Sequence, residues 1–335
     1  MNAPPIEPDL LRFADDKTIV LTGGTGSFGQ AFVAALLSDS RVRRILVLSR
    51  DELKQHEMRQ RHPDEDRLEL RIGDVRDPSS TRRAFRGADL VVHAAALKQI
   101  GTGERSPFEV VQTNVLGAQN VIDAALEHRV ERVVAISTDK ASSPINAYGA
   151  TKLIADKLFV AATADADGRT AFSVVRYGNV MGSRGSVVGV YKRLASSGKI
   201  PITDPRMTRF WITLPQTVEF VSRCLPTMSG GEIFVPKLPS VKLLDIAKAI
   251  APECAHEIVG IRPGEKLHEE LVSATDARCA FESEHRIVVL PSPAIARRTA
   301  HTNDDLGTPL PDGFAYTSDQ NARWLSAEQI RAMLG

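Results

Sequence analysis

Short apolar runs alternate with amphipathic segments through the first half of the chain. Residues 18–23 (TIVLTG) read as a strand entering a glycine-rich turn, and residues 27–39 (SFGQAFVAALLSD) follow with helical spacing. Further strands are expected at 44–50 (RILVLSR), 68–75 (LELRIGDV) and 89–96 (DLVVHAAA), with the charged, helix-favouring 51–62 between the first two of these. Helical spacing returns over 107–128, a strand over 132–138 (RVVAIST), a helix over 148–162 and a strand over 172–180. Strands covered on both faces read as continuous apolar runs, and the helices between them supply right-handed crossovers. The alternation predicts an α/β fold, a Rossmann-like doubly wound parallel sheet.

Beyond residue 180 the pattern loosens. Glycine and proline punctuate short elements, as in GSRGSVVG, GKIPITDP, SGGEIFVPKLPS and GIRPGEK. That texture predicts a smaller, mainly substrate-binding region. The expected organisation is an N-terminal extension (1–17), a dinucleotide-binding region (18–180) and the substrate region (181–335), with an interleaved boundary. Residues 301–314 read as loop.

Composition narrows the partners. With 42 Lys and Arg against 41 Asp and Glu the net charge is +1, which gives no field to gather nucleic acid or an anionic membrane surface. Hydrophobic residues at 43% and charged ones at 25% are ordinary for a globular protein. No apolar run approaches the roughly 20 residues that span a bilayer, and the first residues lack the apolar stretch of a signal peptide. A cytoplasmic protein is expected. Cys224, Cys254 and Cys279 lie far apart and give no metal-ligand spacing, so no metal is expected.

The turn Gly23-Gly24-Thr25-Gly26-Ser27-Phe28-Gly29 stands between the first strand and the first helix. Glycines there permit unusual backbone angles and close approach of a pyrophosphate to the helix N-terminus. The glycine spacing alone is weak, and its position in a strand–turn–helix is what strengthens it. Where a carboxylate would bind the ribose hydroxyls of NAD, the second strand ends in Ser49-Arg50-Asp51, with Lys54 one turn on. Ser49, Arg50 and Lys54 favour the 2′-phosphate of NADP, and NAD bound through Asp51 is the alternative. Asp74 and Val75 end the third strand where adenine is expected. Ala94, Ala95 and Ala96 are small enough to let a dinucleotide pass, or serve helix–sheet packing.

Tyr148 and Lys152 are four residues apart on a predicted helix and so share a face. A neighbouring ammonium would lower the phenol from its usual pKa of ~10, readying it to take a proton from a substrate hydroxyl. Thr138, at the end of the fifth strand, supplies a third hydroxyl. The spacing by itself also fits an ordinary surface pair.

Longer motifs carry a stronger signal. TGGTGSFG (22–29), SRDELKQ (49–55), GDVRD (73–77), HAAALK (93–98), STDKA (137–141), PINAYGATK (144–152), SVVRYGNVMGSRGSVV (173–188), PITDPRMTRFWIT (201–213), GGEIFVPKLPS (230–240) and IRPGEKLHE (261–269) span nearly the whole chain. Through them the chain resembles the extended short-chain dehydrogenase/reductase superfamily. Within it, the chain is similar to the soluble inverting UDP-N-acetylglucosamine 4,6-dehydratases of pseudaminic acid and flagellin-glycan biosynthesis. The resemblance implies a redox-neutral reaction. Tyr148 deprotonates the C4 hydroxyl of UDP-N-acetylglucosamine while NADP+ takes the C4 hydride. A base removes the C5 proton, an acid assists loss of the C6 hydroxyl, the hydride returns to C6, and C5 is reprotonated on the opposite face. The implied product is UDP-2-acetamido-2,6-dideoxy-β-L-arabino-hexos-4-ulose.

Asp139-Lys140 stands where retaining relatives carry Asp-Glu. The resemblance makes Lys140 the C5 acid/base and Asp139 the acid for the C6 hydroxyl. A lysine beside another cation and partly dehydrated would have a lowered pKa, with Lys152 and Lys98 the candidate neighbours. The resemblance also implies cofactor contacts from Lys98 and Tyr177, and substrate contacts from Lys98, Asn179, Val187, Thr203, Arg262 and Glu265. Arg184 and Arg209 read equally well as phosphate partners or surface arginines. His268 reads as structural. A homo-oligomer is implied. Two stretches depart from the family pattern. Gln99–Ser106 brings two glycines into a loop expected near the sugar, and Gly189-Val190-Tyr191 replaces proline and paired aromatics. Both leave open the exact UDP-sugar. A 4-epimerase would need no base at residue 140, and a non-catalytic dinucleotide-binding regulator would need no proton-transfer set at all.

Overall fold

A computed structural model of the chain describes residues 8–183, 185–291 and 306–334. Six parallel strands form the centre: β1 (Thr18–Thr22), β2 (Arg44–Ser49), β3 (Leu68–Ile72), β4 (Leu90–His93), β5 (Arg132–Thr138) and β6 (Ala171–Tyr177). Their order in the sheet is β3-β2-β1-β4-β5-β6, so the direction of winding reverses between β1 and β4. Ligands of open α/β sheets bind beyond the strand ends at such a switch point. β1 and β4 are buried along their whole length, as their apolar sequences require. A hydrogen bond of 2.7 Å between the Thr22 hydroxyl and His93 Nδ1 ties the ends of the two strands.

The helices named here are α1 (Ser27–Asp39), α2 (Glu52–Arg61), α3 (Pro78–Phe85), α4 (Ile100–Arg105), α5 (Pro107–Val111), α6 (Gly117–Glu127) and α7 (Ala147–Ala162). α3, α6 and α7 pack side by side. α1 packs with the helix Leu214–Thr227 and the 3-10 turn Pro8–Ala14. Covering helices account for the continuous apolar runs of the strands.

The sheet does not stop at β6. Ile233–Pro236 adds parallel to β6, and Arg286–Val289, Ala280–Glu282 and Thr308–Pro309 follow antiparallel. The last of these lies within 301–314, which the sequence reads as loop; residues 301–305 are outside the described residues. A second apolar core, including Tyr191, Ile202, Met207, Trp211, Ile246 and Ile330, supports the small sheets of the C-terminal half. Arg176 joins the two regions. It is 1% exposed, and its guanidinium lies 3.2 Å from Asp156 on α7, 3.2 Å from Asp276, and 3.0 Å from the Leu271 carbonyl.

Some boundaries differ from the sequence reading. The expected helix 107–128 is α5, a π turn at Gln112–Leu116, and α6. The π turn leaves room for Asn114, which bonds both the N–H and the carbonyl of Leu97. The departing stretch 99–106, expected as loop, contains α4.

Candidate active site

One cleft of about 1140 Å³ opens beyond the carboxyl ends of the strands, between the two regions. Every residue singled out for cofactor, substrate or chemistry lies on its wall, apart from Gly24 of the turn and Arg184, which falls outside the described residues.

At the cofactor end Gly23, Gly26 and Gly29 of the turn differ in role. Gly23 has a φ of +68°, and a Cβ there would lie 2.6 Å from the Ala95 backbone. Gly29 allows α1 to pack on Gly24. Gly26 is less crowded, but a Cβ there would still press on the Gly23 carbonyl, 3.3 Å away. Gly26 is also the N-cap of α1 and offers no side-chain cap, so the positive end of the helix dipole faces the cleft without a side chain over it. Thr25 and Ser49 share a 2.9 Å hydrogen bond under the turn. Asp51 caps α2 by accepting from the Lys54 N–H at 3.0 Å, and its carboxylate also pairs with the Lys54 ammonium. Arg50 is half exposed, 3.8 Å from Asp74. Burial would raise the Asp74 carboxyl, but hydrogen bonds from Arg76 hold it below the usual range. Val75 and Ala95 complete this wall. Buried hydroxyls of Thr113 and Ser137 also line the cleft without a hydrogen-bond partner. Neither stands out in the sequence.

At the opposite end, β5 delivers Thr138 into the tight turn Asp139–Ala141. Asn146 caps α7 by accepting from the Gly149 N–H at 2.7 Å. Gly149 is required here, because a Cβ would overlap the Lys140 carbonyl. α7 can therefore press Tyr148 against the Thr138–Lys140 turn. Tyr148 and Lys152 do share a buried face, yet the expected lowered phenol is not found. Burial pushes Tyr148 up to about 12, and the cation that opposes this is Lys140, aided by the Thr138 hydroxyl. Lys152 is turned instead to the Ile136 carbonyl, 2.8 Å from its Nζ. Burial lowers the Lys152 ammonium, with Asp156 opposing. Burial likewise lowers Lys98 and raises the Tyr177 phenol, which lies beside Tyr148.

Lys140 is the largest correction. The sequence places it among cations, which would lower its pKa. In the structure its Nζ lies 3.0 Å from Asp139 Oδ1 and 2.9 Å from Glu269 Oε1. Burial pulls it down, but the two carboxylates more than offset this and hold it above its ordinary value, with Arg209 the opposing cation. Asp139 and Glu269 are 1% and 2% exposed, so this is no surface pair. Burial, reinforced by the Glu269 charge, keeps the Asp139 carboxyl raised despite Lys140. Burial also acts to raise Glu269, but Lys140 and Arg209 outweigh it and keep Glu269 low. One oxygen of each acid, Asp139 Oδ2 and Glu269 Oε2, is buried without a hydrogen-bond partner.

The C-terminal half supplies the remaining wall. Asn179 Oδ1 and Glu265 Oε2 are buried without partners and border the cleft. Val187 begins the helix Val187–Leu194, which also carries the departing Gly189-Val190-Tyr191, and Thr203 is also on the wall. Arg262 is 70% exposed at the rim, 3.8 Å from Glu265. Arg209 is buried and is not a surface arginine. Its guanidinium donates to the carbonyls of Thr208, Lys266 and Leu267, so it braces the 266–269 segment. His268 accepts or donates one bond to the Thr208 hydroxyl, 2.8 Å away, as a structural group would. Glu104 on α4 accepts from the Ala147 N–H at 2.8 Å, which fixes the departing stretch to the start of α7. Among the described residues, no cluster of His, Cys, Asp or Glu is arranged to hold a metal ion, and no helix is long and apolar enough to cross a membrane.

A Rossmann-like sheet with this constellation at its switch point defines a nucleotide-sugar-modifying class of the short-chain dehydrogenase/reductase type. The chain belongs to the polysaccharide biosynthesis protein family, whose model matches residues 19–291. It is 47% identical over 321 residues to the UDP-N-acetylglucosamine 4,6-dehydratase (inverting) of Campylobacter jejuni strain 81-176, covering 94% of this chain and 96% of the relative. It is 43% identical over 270 residues to the UDP-glucose 4-epimerase of Rickettsia akari, covering 78% of this chain and 79% of that protein. The X-ray structure of Pen from Bacillus thuringiensis superposes with a TM-score of 0.87 at 34% identity, covering 96% of this chain and 98% of Pen.

Proposed function

We propose that the protein is an inverting UDP-N-acetylglucosamine 4,6-dehydratase using NADP. The observation that carries this reading is the buried Asp139–Lys140 ion pair beside Tyr148, at the far end of a dinucleotide cleft. An epimerase has no need of that pair, since it neither takes a C5 proton nor expels the C6 hydroxyl. The epimerase relative is the reason to keep 4-epimerisation as the second reading.

Gly26 and the uncapped start of α1 suit the pyrophosphate. Thr113 and Ser137 offer unpartnered hydroxyls to a ribose or carboxamide. Arg50, with Ser49 and Lys54, suits a 2′-phosphate, while Asp51 is committed to α2 and Lys54 and is poorly placed to serve NAD. Held there, the nicotinamide would supply a hydride acceptor for C4 and a hydride donor for C6. Tyr148 takes the C4 hydroxyl proton as the phenolate, the form that the Lys140 charge and the Thr138 hydroxyl favour against its burial, and Thr138 holds the C4 hydroxyl. Lys152 fixes the ribose side of the site.

The resting Lys140 ammonium is no base, but its 3.0 Å pairing with Asp139 resolves this. Moving one proton from Nζ to the carboxylate creates an amine and a carboxylic acid together. The amine then takes the C5 proton as the 4-ketone accepts the electron pair. The acid gives its proton to the departing C6 hydroxyl, which leaves as water. Lys140 ends as ammonium and Asp139 as carboxylate, so the pair resets. The raised Asp139 carboxyl favours this exchange and the raised Lys140 ammonium opposes it, so the shift must be driven by the bound 4-keto sugar. C5 is then reprotonated on its opposite face by water, and Tyr148 returns the C4 hydroxyl proton to solvent, so the cycle releases only one water overall. Arg262, Glu265, Asn179, Val187, Thr203 and Lys98 bind the UDP-sugar.

The protein acts in the cytoplasm, in a pseudaminic acid or related glycan pathway, as a homo-oligomer. Exposed Phe108, Leu116 and Ile154, on the adjoining α5, π turn and α7, support self-association. Mass spectrometry after incubation with UDP-N-acetylglucosamine and no added oxidant or reductant tests the reaction. Loss of one water is expected, and an isomer of unchanged mass would favour epimerisation.

A further inference from the structure

The cluster around Lys140 contains a third member that the reaction scheme above does not use. Glu269 comes from the C-terminal half, 129 positions from Lys140 in sequence, and is 2% exposed. Several contacts hold it there. Its N–H donates to the Ser318 hydroxyl at 2.9 Å, and its carbonyl accepts from the Ser318 N–H at 2.8 Å. Ser318 bonds in turn to Thr208 at 2.7 Å. On either side of Glu269, Lys266 donates to the Ser142 carbonyl at 2.6 Å, and Glu270 accepts from the Ser142 and Ser143 hydroxyls at 2.6 Å each. The 266–270 segment thus clamps the turn that carries Asp139 and Lys140.

We propose that Glu269 is a positioning residue for the elimination step: it fixes the Lys140 Nζ at the cleft wall and sets the charge balance of the Asp139–Lys140 pair. This rests on the dehydratase reading. The geometry fits the task, because Asp139 and Glu269 grip the same Nζ at 3.0 and 2.9 Å. A side chain as long as lysine would otherwise wander among rotamers, and fixing it before reaction saves that entropy. Glu269 also adds negative charge near both partners, as its effects on Lys140 and Asp139 show. The charged and titratable groups facing the pair are Glu269, Arg209, Lys266 and Tyr148.

The test is Glu269→Gln in the full-length protein loaded with NADP+. C4 oxidation is followed by the near-ultraviolet absorbance of the reduced nicotinamide, and elimination by the C6 methyl signal. Water loss should fall about 10²-fold, while sugar binding and C4 oxidation stay within a few-fold of the wild type. Both limbs of the pH profile for elimination should move to lower pH, since removing the Glu269 charge lowers Lys140 and Asp139 alike. An unchanged ratio of elimination to C4 oxidation, with an unmoved pH profile, would overturn the proposal. So would an equal loss of all activities in a folded variant, which marks a merely structural role. If the Gln variant does not fold, Glu269→Asp carries the same readouts, because one methylene less withdraws the carboxylate from Nζ. A wild-type protein that loses no water overturns the dehydratase reading itself, whatever the variants do.

Discussion

The two ends of the cleft are built in different ways. The glycine turn of the cofactor end is local: one strand, one turn and one helix, within residues 18–39, place the glycines and the uncapped start of α1. Its binding power comes from backbone geometry. The chemical end is assembled from distant segments, with Asp139, Lys140 and Tyr148 from one half and Arg209 and Glu269 from the other. Its power comes from buried charges whose protonation depends on their neighbours. Binding by backbone can be written into a short motif, whereas proton transfer needs a tertiary environment.

Changes at the chemical end should therefore separate chemistry from binding. The largest effect is expected for Lys140→Ala, which removes the elimination base: water loss should drop by about 10²–10⁴-fold with UDP-N-acetylglucosamine affinity kept, as calorimetric titration would show. Full activity in that variant would end its assigned role. Arg176→Met tests whether the halves depend on one another. Removing a buried guanidinium leaves Asp156 unpaired at 1% exposure, a loss of about 3–5 kcal/mol. The urea midpoint should fall, and elimination should suffer more than cofactor binding in the protein that remains folded. The smallest effect belongs to the cofactor end. Arg50 is half exposed, so Arg50→Ala should weaken NADP by roughly tenfold relative to NAD. Equal affinities before and after the change would assign the 2′-phosphate elsewhere.

The contrast also explains what could be read from the sequence. The strands, the glycine turn and the shared face of Tyr148 and Lys152 follow from short-range periodicity and turn chemistry, and the structure has them. The extension of the sheet by Ile233–Pro236 and the pairing of Thr308–Pro309 were out of reach, because they depend on which segment returns to a sheet edge. The protonation states depend on tertiary contacts in the same way. Spacing puts Lys152 one turn from Tyr148, but cannot show that its ammonium points to the Ile136 carbonyl. Lys140 looks like one lysine among several until Glu269, far along the chain, is folded against it. In sequence, Glu269 is marked only as the last residue of IRPGEKLHE, beside basic and imidazole side chains.

The central claim is that these two ends act on one sugar, returning at C6 the hydride taken from C4 while C5 exchanges its proton with solvent-derived acid on the other face. Incubation with UDP-N-acetylglucosamine in deuterated water, without added redox partner, followed by proton NMR, tests it directly. The account predicts a C6 methyl group, deuterium at C5 and the L-arabino configuration. A C6 methyl with the original configuration at C5, or a sugar that keeps its C6 hydroxyl, would contradict it.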